Sequence, residues 1–249
     1  MALSPKTDKE IDAMREGGKM LATVLQLMAK KTAIGLTPKD MSMIARAELK
    51  ALGGEPAFEG FQGFPDIICI SVNNQVQHSI PDARAFQKGD VVNFDFGVRY
   101  KGMITDGGIT VGVGEVNKDS QRLIDGTRRA LDAGLSMISD GCKVGDISAA
   151  IEEVLKGHKL GIVRELVGHG VGYSLHEEPE IPNYGLAGRG PILRSGMTIA
   201  VEPIANLGGD DIIGDVDGWT LWTADGSYSA QFEHTVLVTE NGYEILTKV

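Results

Sequence analysis

What most limits the fold of this 249-residue chain is a set of short motifs that recur at one nearly constant spacing. Gly35-Leu-Thr-Pro-Lys-Asp40 returns as Gly141-Cys-Lys-Val-Gly-Asp146, 106 residues later, and helical apolar spacing follows each. Gly89-Asp-Val-Val-Asn-Phe-Asp95 returns as Gly196-Met-Thr-Ile-Ala-Val-Glu202, 107 residues later, with a turn glycine six residues before an acid in both. Either match alone is short enough to arise by chance. The shared offset points to an internal duplication. Each half reads helix, helix, strand, so halves of about 5–115 and 118–249 predict an α+β unit with helices on one side of a curved antiparallel sheet. No composition break looks like a linker, so residues 1–249 read as one compact unit. A cleft between its halves is the expected place for a site.

The local signals agree with that plan. Thr7-Asp-Lys-Glu10 reads as a capping box, and Ile11, Met14, Leu21, Val24, Leu25 and Met28 follow on one helical face to about Lys30. A second helix follows Gly35-Leu-Thr-Pro-Lys, with Met41, Ile44, Ala45 and Leu49 inward. Ile67 to Val72, Val91 to Val98 and Ile109 to Val113 read as strands, and Ser120 to Ile138 and Ile147 to Leu155 as the helices of the second half. Composition excludes several classes. Acids outnumber bases by 34 to 24, which argues against bulk nucleic-acid binding. No apolar run reaches the ~18 residues of a membrane helix, and the start carries no secretory segment, so the expected location is the cytoplasm. Cys69 and Cys142 are too few for a disulfide scaffold or a cysteine zinc site.

Five positions stand out chemically. Asp95 lies in an apolar strand, where a carboxylate is rarely buried unless paired or bound to a cation. Taken alone, it also fits the outer face of a half-exposed strand. Glu202 occupies the matched place in the second half, and the face that Glu233 takes depends on register. By itself, Asp106 before Gly107-Gly108 reads as a turn residue, and His169 between glycines as a loop histidine. Together the five make an oxygen-rich set with one nitrogen, suited to Mn, Fe, Co or Zn. Four carboxylates in one cleft would repel one another unless cations or protons filled it. His78 and His176 are candidates for hydrogen bonding to a developing oxyanion or a leaving amine, while His158 and His234 read as surface or packing residues. The chain has no His-Glu-x-x-His zinc helix, no Gly-x-Ser-x-Gly elbow and no phosphate-binding Gly-x-x-x-x-Gly-Lys loop.

Asp95, Asp106, Gly-His169-Gly-Val-Gly with Leu-His176-Glu-Glu-Pro, Glu202-Pro and Gln-Phe-Glu233-His resemble the methionine aminopeptidases of type I, from about Glu10 to the C-terminus. The resemblance implies the pita-bread fold of two pseudo-symmetric halves as a single catalytic domain. It implies removal of the initiator methionine from nascent chains with a small second residue, through metal-hydroxide attack on the scissile carbonyl. Two divalent metal ions would be held by Asp95, Asp106, His169, Glu202 and Glu233, and Glu202 would also carry the proton. His176 would steady the carbonyl oxygen and His78 the scissile amide. Phe58, Phe61, Phe64, Cys69 and Trp219 would line the methionine pocket, where a polarizable thioether packs well against rings. By the same likeness a monovalent cation would sit near Asn73, Gln75 and Ser229, the protein would be a monomer, and the ribosome would be a partner. Ser79, Phe61, Phe64, Leu175 and the Gly-Gly-Ile-Thr after Asp106 depart from the usual pattern, and Ser79, Phe61, Phe64 and Leu175 are expected to reshape the pocket. The competing readings are an Xaa-Pro aminopeptidase or prolidase, which share this fold but generally carry a further domain, and a non-catalytic binding relative.

Overall fold

A computed structural model of the chain describes residues 5–248. Residues 1–4 and 249, the ends of the expected domain, lie outside the described residues. Helices α1 (Asp8–Lys31) and α2 (Pro38–Leu52) open the first half. Strands β1 (Glu55–Pro56), β2 (Ile68–Val72), β3 (Gln75–Gln77), β4 (Val91–Tyr100) and β5 (Met103–Gly112) complete it. Helices α3 (Lys118–Ser136) and α4 (Val144–Gly157) open the second half. Ten short strands follow: β6 (Gly161–Ile162), β7 (Gly168–Gly170), β8 (Glu177–Ile181), β9 (Thr198–Val201), β10 (Ile204–Asn206), β11 (Ile212–Gly214), β12 (Leu221–Thr223), β13 (Ser229–Gln231), β14 (Glu233–Thr239) and β15 (Gly242–Ile245). No helix among the described residues is long and apolar enough to cross a membrane.

Nine strands form one antiparallel sheet in the order β1-β4-β5-β14-β9-β7-β8, with β2 also on β4 and β15 also on β14. Alternation along each strand divides its residues between two faces. On β4, Val92, Phe94, Phe96 and Val98 pack against Leu21, Val24, Leu25, Met41 and Leu49 of the first helix pair. On β9 and β14, Ile199, Val201, Val236 and Val238 pack against Leu123, Leu131, Ile147 and Ile151 of the second pair. The opposite residues of the same strands are left for the concave face. This is the expected pita-bread arrangement, with both helix pairs covering one side of a curved antiparallel sheet.

The matched motifs take matched shapes. Gly35 and Gly141 have φ of +91° and +86°, and Gly89 and Gly196 have +92° and +88°, a region that side chains other than glycine's rarely enter. Asp40 and Asp146 each accept the backbone N–H three residues back, from Thr37 and Lys143, both at 2.9 Å. At the start of α1, Glu10 accepts the Thr7 N–H at 2.8 Å, as the capping box predicts.

Three expectations are corrected. The strand expected over Ile109 to Val113 is β5, which begins at Met103, and the turn that precedes it is Lys101-Gly102, with φ of +48° and +85°. Asp106-Gly107-Gly108 is therefore strand rather than turn, because β4 pairs with it along one edge and β14 along the other. His169 likewise lies in β7, paired with Ala200 of β9, and not in a loop.

Candidate metal centre

Strand register brings the acids together. Asp95 of β4 and Glu233 of β14 both lie opposite Gly108 of β5, one on each side. Asp106 is two residues before Gly108 and so shares its face. A side chain at Gly108 would stand between the two acids, and a Cβ there would come within 2.1 Å of the Gln231 amide. Across β14, Thr235 pairs with Ala200, and Ala200 pairs with His169. Alternation from Ala200 places Glu202 on the same face, where its Oε1 lies 3.4 Å from His169 Nε2. All five sequence-predicted donors thus converge on the concave face, and all five are buried.

Each donor is held in orientation. His169 Nδ1 lies 2.9 Å from the Gly170 carbonyl, which fixes the N–H there and leaves Nε2 with its lone pair towards the acids. Gln231 donates to Glu233 Oε2 at 2.9 Å, and Gln77 donates to Asp95 Oδ2 at 2.9 Å. Asn183 donates to the Glu202 carbonyl at 3.0 Å. Thr235 Oγ1 accepts from the Asp106 N–H at 2.9 Å and donates to its carbonyl at 2.7 Å. Sequence reasoning missed Gln77, Gln231, Asn183 and Thr235. Gln231 and Thr235 each sit two residues from Glu233, the spacing of one strand face, which is a signal the sequence does contain.

The remaining oxygens suit cations. Asp95 Oδ1 and Glu233 Oε1 are buried and have no hydrogen-bond partner. Asp106, His169 and Glu233 can offer ligand atoms that all lie within 4.8 Å of one another. Among the described residues no lysine or arginine lines the cavity to neutralise the acids. Burial first, and mutual repulsion second, push Asp95, Glu202 and Glu233 well above the usual carboxylate range. Burial also lifts Asp106 to about 7. His169 is driven down to about 3, mainly by burial and then by His176, so its imidazole is neutral. A neutral nitrogen beside unsatisfied, crowded oxygens fits divalent metal ions, which would take the place of the protons that these acids otherwise hold.

The acids form the floor of a cavity of about 600 Å³. His78, His176, Phe58, Phe61, Phe64, Cys69 and Trp219 all line it. Phe64 meets Trp219 edge-on at 5.1 Å, and His176 stands between Phe61 at 5.5 Å and His169 at 4.4 Å. Burial and the nearby carboxylates raise the Cys69 thiol well above its ordinary value, so it is protonated and behaves as an apolar wall. His78 is half-buried with φ of +58°, a strained conformation for a residue with a side chain. Burial, reinforced by His176, lowers its imidazole to about 4. Ser79 departs from expectation. It does not line the cavity, because its hydroxyl turns away to meet Ser71 Oγ at 3.0 Å. Gln62, Glu165, Leu175, Glu177, Glu178 and Glu180 also line the cavity.

The pattern of metallopeptidase family M24 matches residues 12–240 of the chain. A methionine aminopeptidase of Clostridium perfringens is 40% identical over 244 residues, spanning 98% of both chains. Methionine aminopeptidase 1 of Bacillus subtilis is 38% identical over the same length and coverage. The crystal structure of the Thermotoga maritima methionine aminopeptidase superimposes with a TM-score of 0.98 at 41% identity, covering all of both chains. Prolidase from Pyrococcus furiosus shares the fold alone, with a TM-score of 0.79 at 22% identity, and this chain covers 65% of its length.

Proposed function

Taking as its premise that the chain belongs to metallopeptidase family M24, we propose that it is a methionyl aminopeptidase, removing the N-terminal methionine from nascent polypeptides with a small second residue. The observation that carries this reading is one cavity whose floor is the buried acid cluster and whose wall is the apolar, thiol-containing ring pocket. Both halves contribute, so the catalytic unit is a single domain. Asp95 and Asp106 come from the first, and His169, Glu202 and Glu233 from the second.

In this reading the five donors hold two divalent metal ions, drawn from Co, Mn, Fe and Zn. Such ions supply Lewis acidity and make a water acidic near neutral pH. The protein's own side chains do the rest. Phe58, Phe61, Phe64, Cys69 and Trp219 enclose the methionine thioether, and the neutral thiol avoids placing a charge against it. The substrate's free amine would sit near the metals or their carboxylates, which restricts cleavage to the first peptide bond. His176 donates a hydrogen bond to the scissile carbonyl oxygen as charge develops there, and His78 contacts the amide nitrogen. Glu202 accepts the proton released as water adds to the carbonyl carbon, then passes it to the departing amine.

The test is a peptidase assay on chelator-stripped protein refilled with Mn, Co, Fe or Zn in turn. Met-Ala-Ser and Ala-Pro-Ser peptides serve as substrates, and products are read by mass spectrometry. Metal-dependent release of methionine alone is the expected result. Cleavage of Ala-Pro-Ser alone would move the chain to the proline-specific branch of the fold. Cleavage of neither, with two metals bound, would overturn the reading.

A further inference from the structure

We propose that Lys6 and Glu177 are positioning residues that set the His176 imidazole over the acid cluster, making the segment ahead of α1 part of the catalytic apparatus. The task given to His176 rests on the aminopeptidase reading above. The strap itself rests on geometry alone. Lys6 is the only buried lysine among the described residues, and it does not line the cavity. Its Nζ lies 2.7 Å from Glu177 Oε2 and 4.3 Å from the centre of the Tyr173 ring. Its stem lies flat on Gly172, where an added Cβ would come within 2.5 Å of Lys6 Cε. Its backbone N–H donates to the Gly196 carbonyl at 2.8 Å, anchoring the strap at its other side.

The second oxygen of Glu177 closes the turn that carries His176. Oε1 accepts the backbone N–H groups of Tyr173 at 2.5 Å and Ser174 at 2.9 Å. One carboxylate therefore spans residues 173–177 and is itself held by a lysine from the start of the chain. The Tyr173 hydroxyl donates to Glu10 Oε2 at 3.0 Å, adding a tie between the first turn of α1 and the same loop. The rings of Phe61 and His169 limit how the His176 ring tilts. They do not fix the height of its backbone, and the Glu177 staple does. Charge-assisted bonds of this kind are short and directional, and removing one partner strands the other's charge away from water. Misplacing a reacting group by about 1 Å can cost about 100-fold in rate.

The test compares Glu177→Gln and Lys6→Met, which keep the size of each side chain, in the metal-loaded full-length protein. Methionine release from Met-Ala-Ser is measured as kcat and KM, cation binding by calorimetry, and the His176 ring proton signal by NMR, assigned with His176→Ala. The expected result is a fall in kcat of about 100-fold for Glu177→Gln and a smaller fall for Lys6→Met, whose carboxylate keeps its two backbone donors. KM and cation affinity stay unchanged, and the His176 signal shifts or broadens in both variants. In a His176→Ala background Glu177→Gln should cost nothing further, whereas a merely structural role would cost as much again. An equal loss in that background, or an unmoved His176 signal, would overturn the proposal. Should Glu177→Gln fail to fold, the neutral pair Lys6→Met with Glu177→Gln strands no charge and takes the same readouts. An unsubstituted protein that releases no methionine would sink the functional reading, while the NMR signal would still decide the strap.

Discussion

The two halves of the molecule repeat one another in outline and differ in how they hold their metal donors. In the first half, β4 and β5 are ten-residue strands in unbroken register from Val91 opposite Gly112 to Tyr100 opposite Met103. Backbone pairing alone places Asp95 and Asp106 on the concave face. In the second half, β7 and β9 are three and four residues long, and the pairing of β7 with β8 shifts register. Here each donor is braced by a hydrogen bond: the Asn183 amide on the Glu202 carbonyl, the Gln231 amide on Glu233, and the backbone carbonyl of Gly170 on His169. The hairpin sets the faces of its acids by register and needs only Gln77 on Asp95 and Thr235 on the Asp106 backbone to finish the work, whereas the short strands β7 and β9 fix less by register and lean more on the groups around them.

The comparison can be broken most severely at the donors. Asp95→Asn from one half and His169→Ala or Glu233→Gln from the other should each abolish methionine release while far-ultraviolet circular dichroism stays unchanged. Turnover retained by either group would show that only one half carries the chemistry. His78→Ala should lower turnover by about 100-fold and weaken metal binding far less, as measured by calorimetry. The braces come next. Asn183→Leu and Gln231→Leu should each weaken metal affinity by about 10- to 100-fold. An unbroken affinity would mean that the short strands orient their donors unaided.

Acidity gives a further contrast between stripped and loaded protein. Asp106 loses its proton at about 7 when folded, against 3.8 as its ordinary value, chiefly because of burial. As pH rises, the unfolded chain ionises first, so the metal-stripped protein should lose stability between about pH 4 and pH 7. Asp95, Glu202 and Glu233 are raised for the same reason and deepen the loss. Thermal denaturation across that range checks this, and divalent metal should flatten the dependence while releasing protons. The smallest effect lies at the matched helix starts. Thr37 Oγ1 accepts the Asp40 N–H at 3.1 Å, and Lys143 has no oxygen to offer the equivalent amide. Thr37→Ala should therefore cost about 1 kcal/mol in denaturant unfolding, and Lys143→Thr should gain a similar amount. Equal responses to alanine at 37 and 143 would erase the difference between the two starts.

Much of this molecule is legible without coordinates because its signals are local or periodic. Glycine pairs at a shared offset, a capping box at Thr7, and alternating Val92, Phe94, Phe96 and Val98 each express backbone sterics or one-sided burial within a few residues. The five donors were legible as residue types in apolar or glycine-rich settings. Their convergence was not, because it depends on which strands become neighbours. Asp106 read locally as a turn, since two glycines follow it. Only the pairing of β5 with both β4 and β14 made those glycines a flat place between acids. Ser79 read as part of the pocket, and only the packed sheet turned its hydroxyl to Ser71. Lys6 carried no signal at all, because its partner lies 171 residues away. Composition and short-range pattern determined the elements, the duplication and the chemistry available. Strand order and register, which rest on contacts between distant segments, decided where that chemistry meets and what holds it in place.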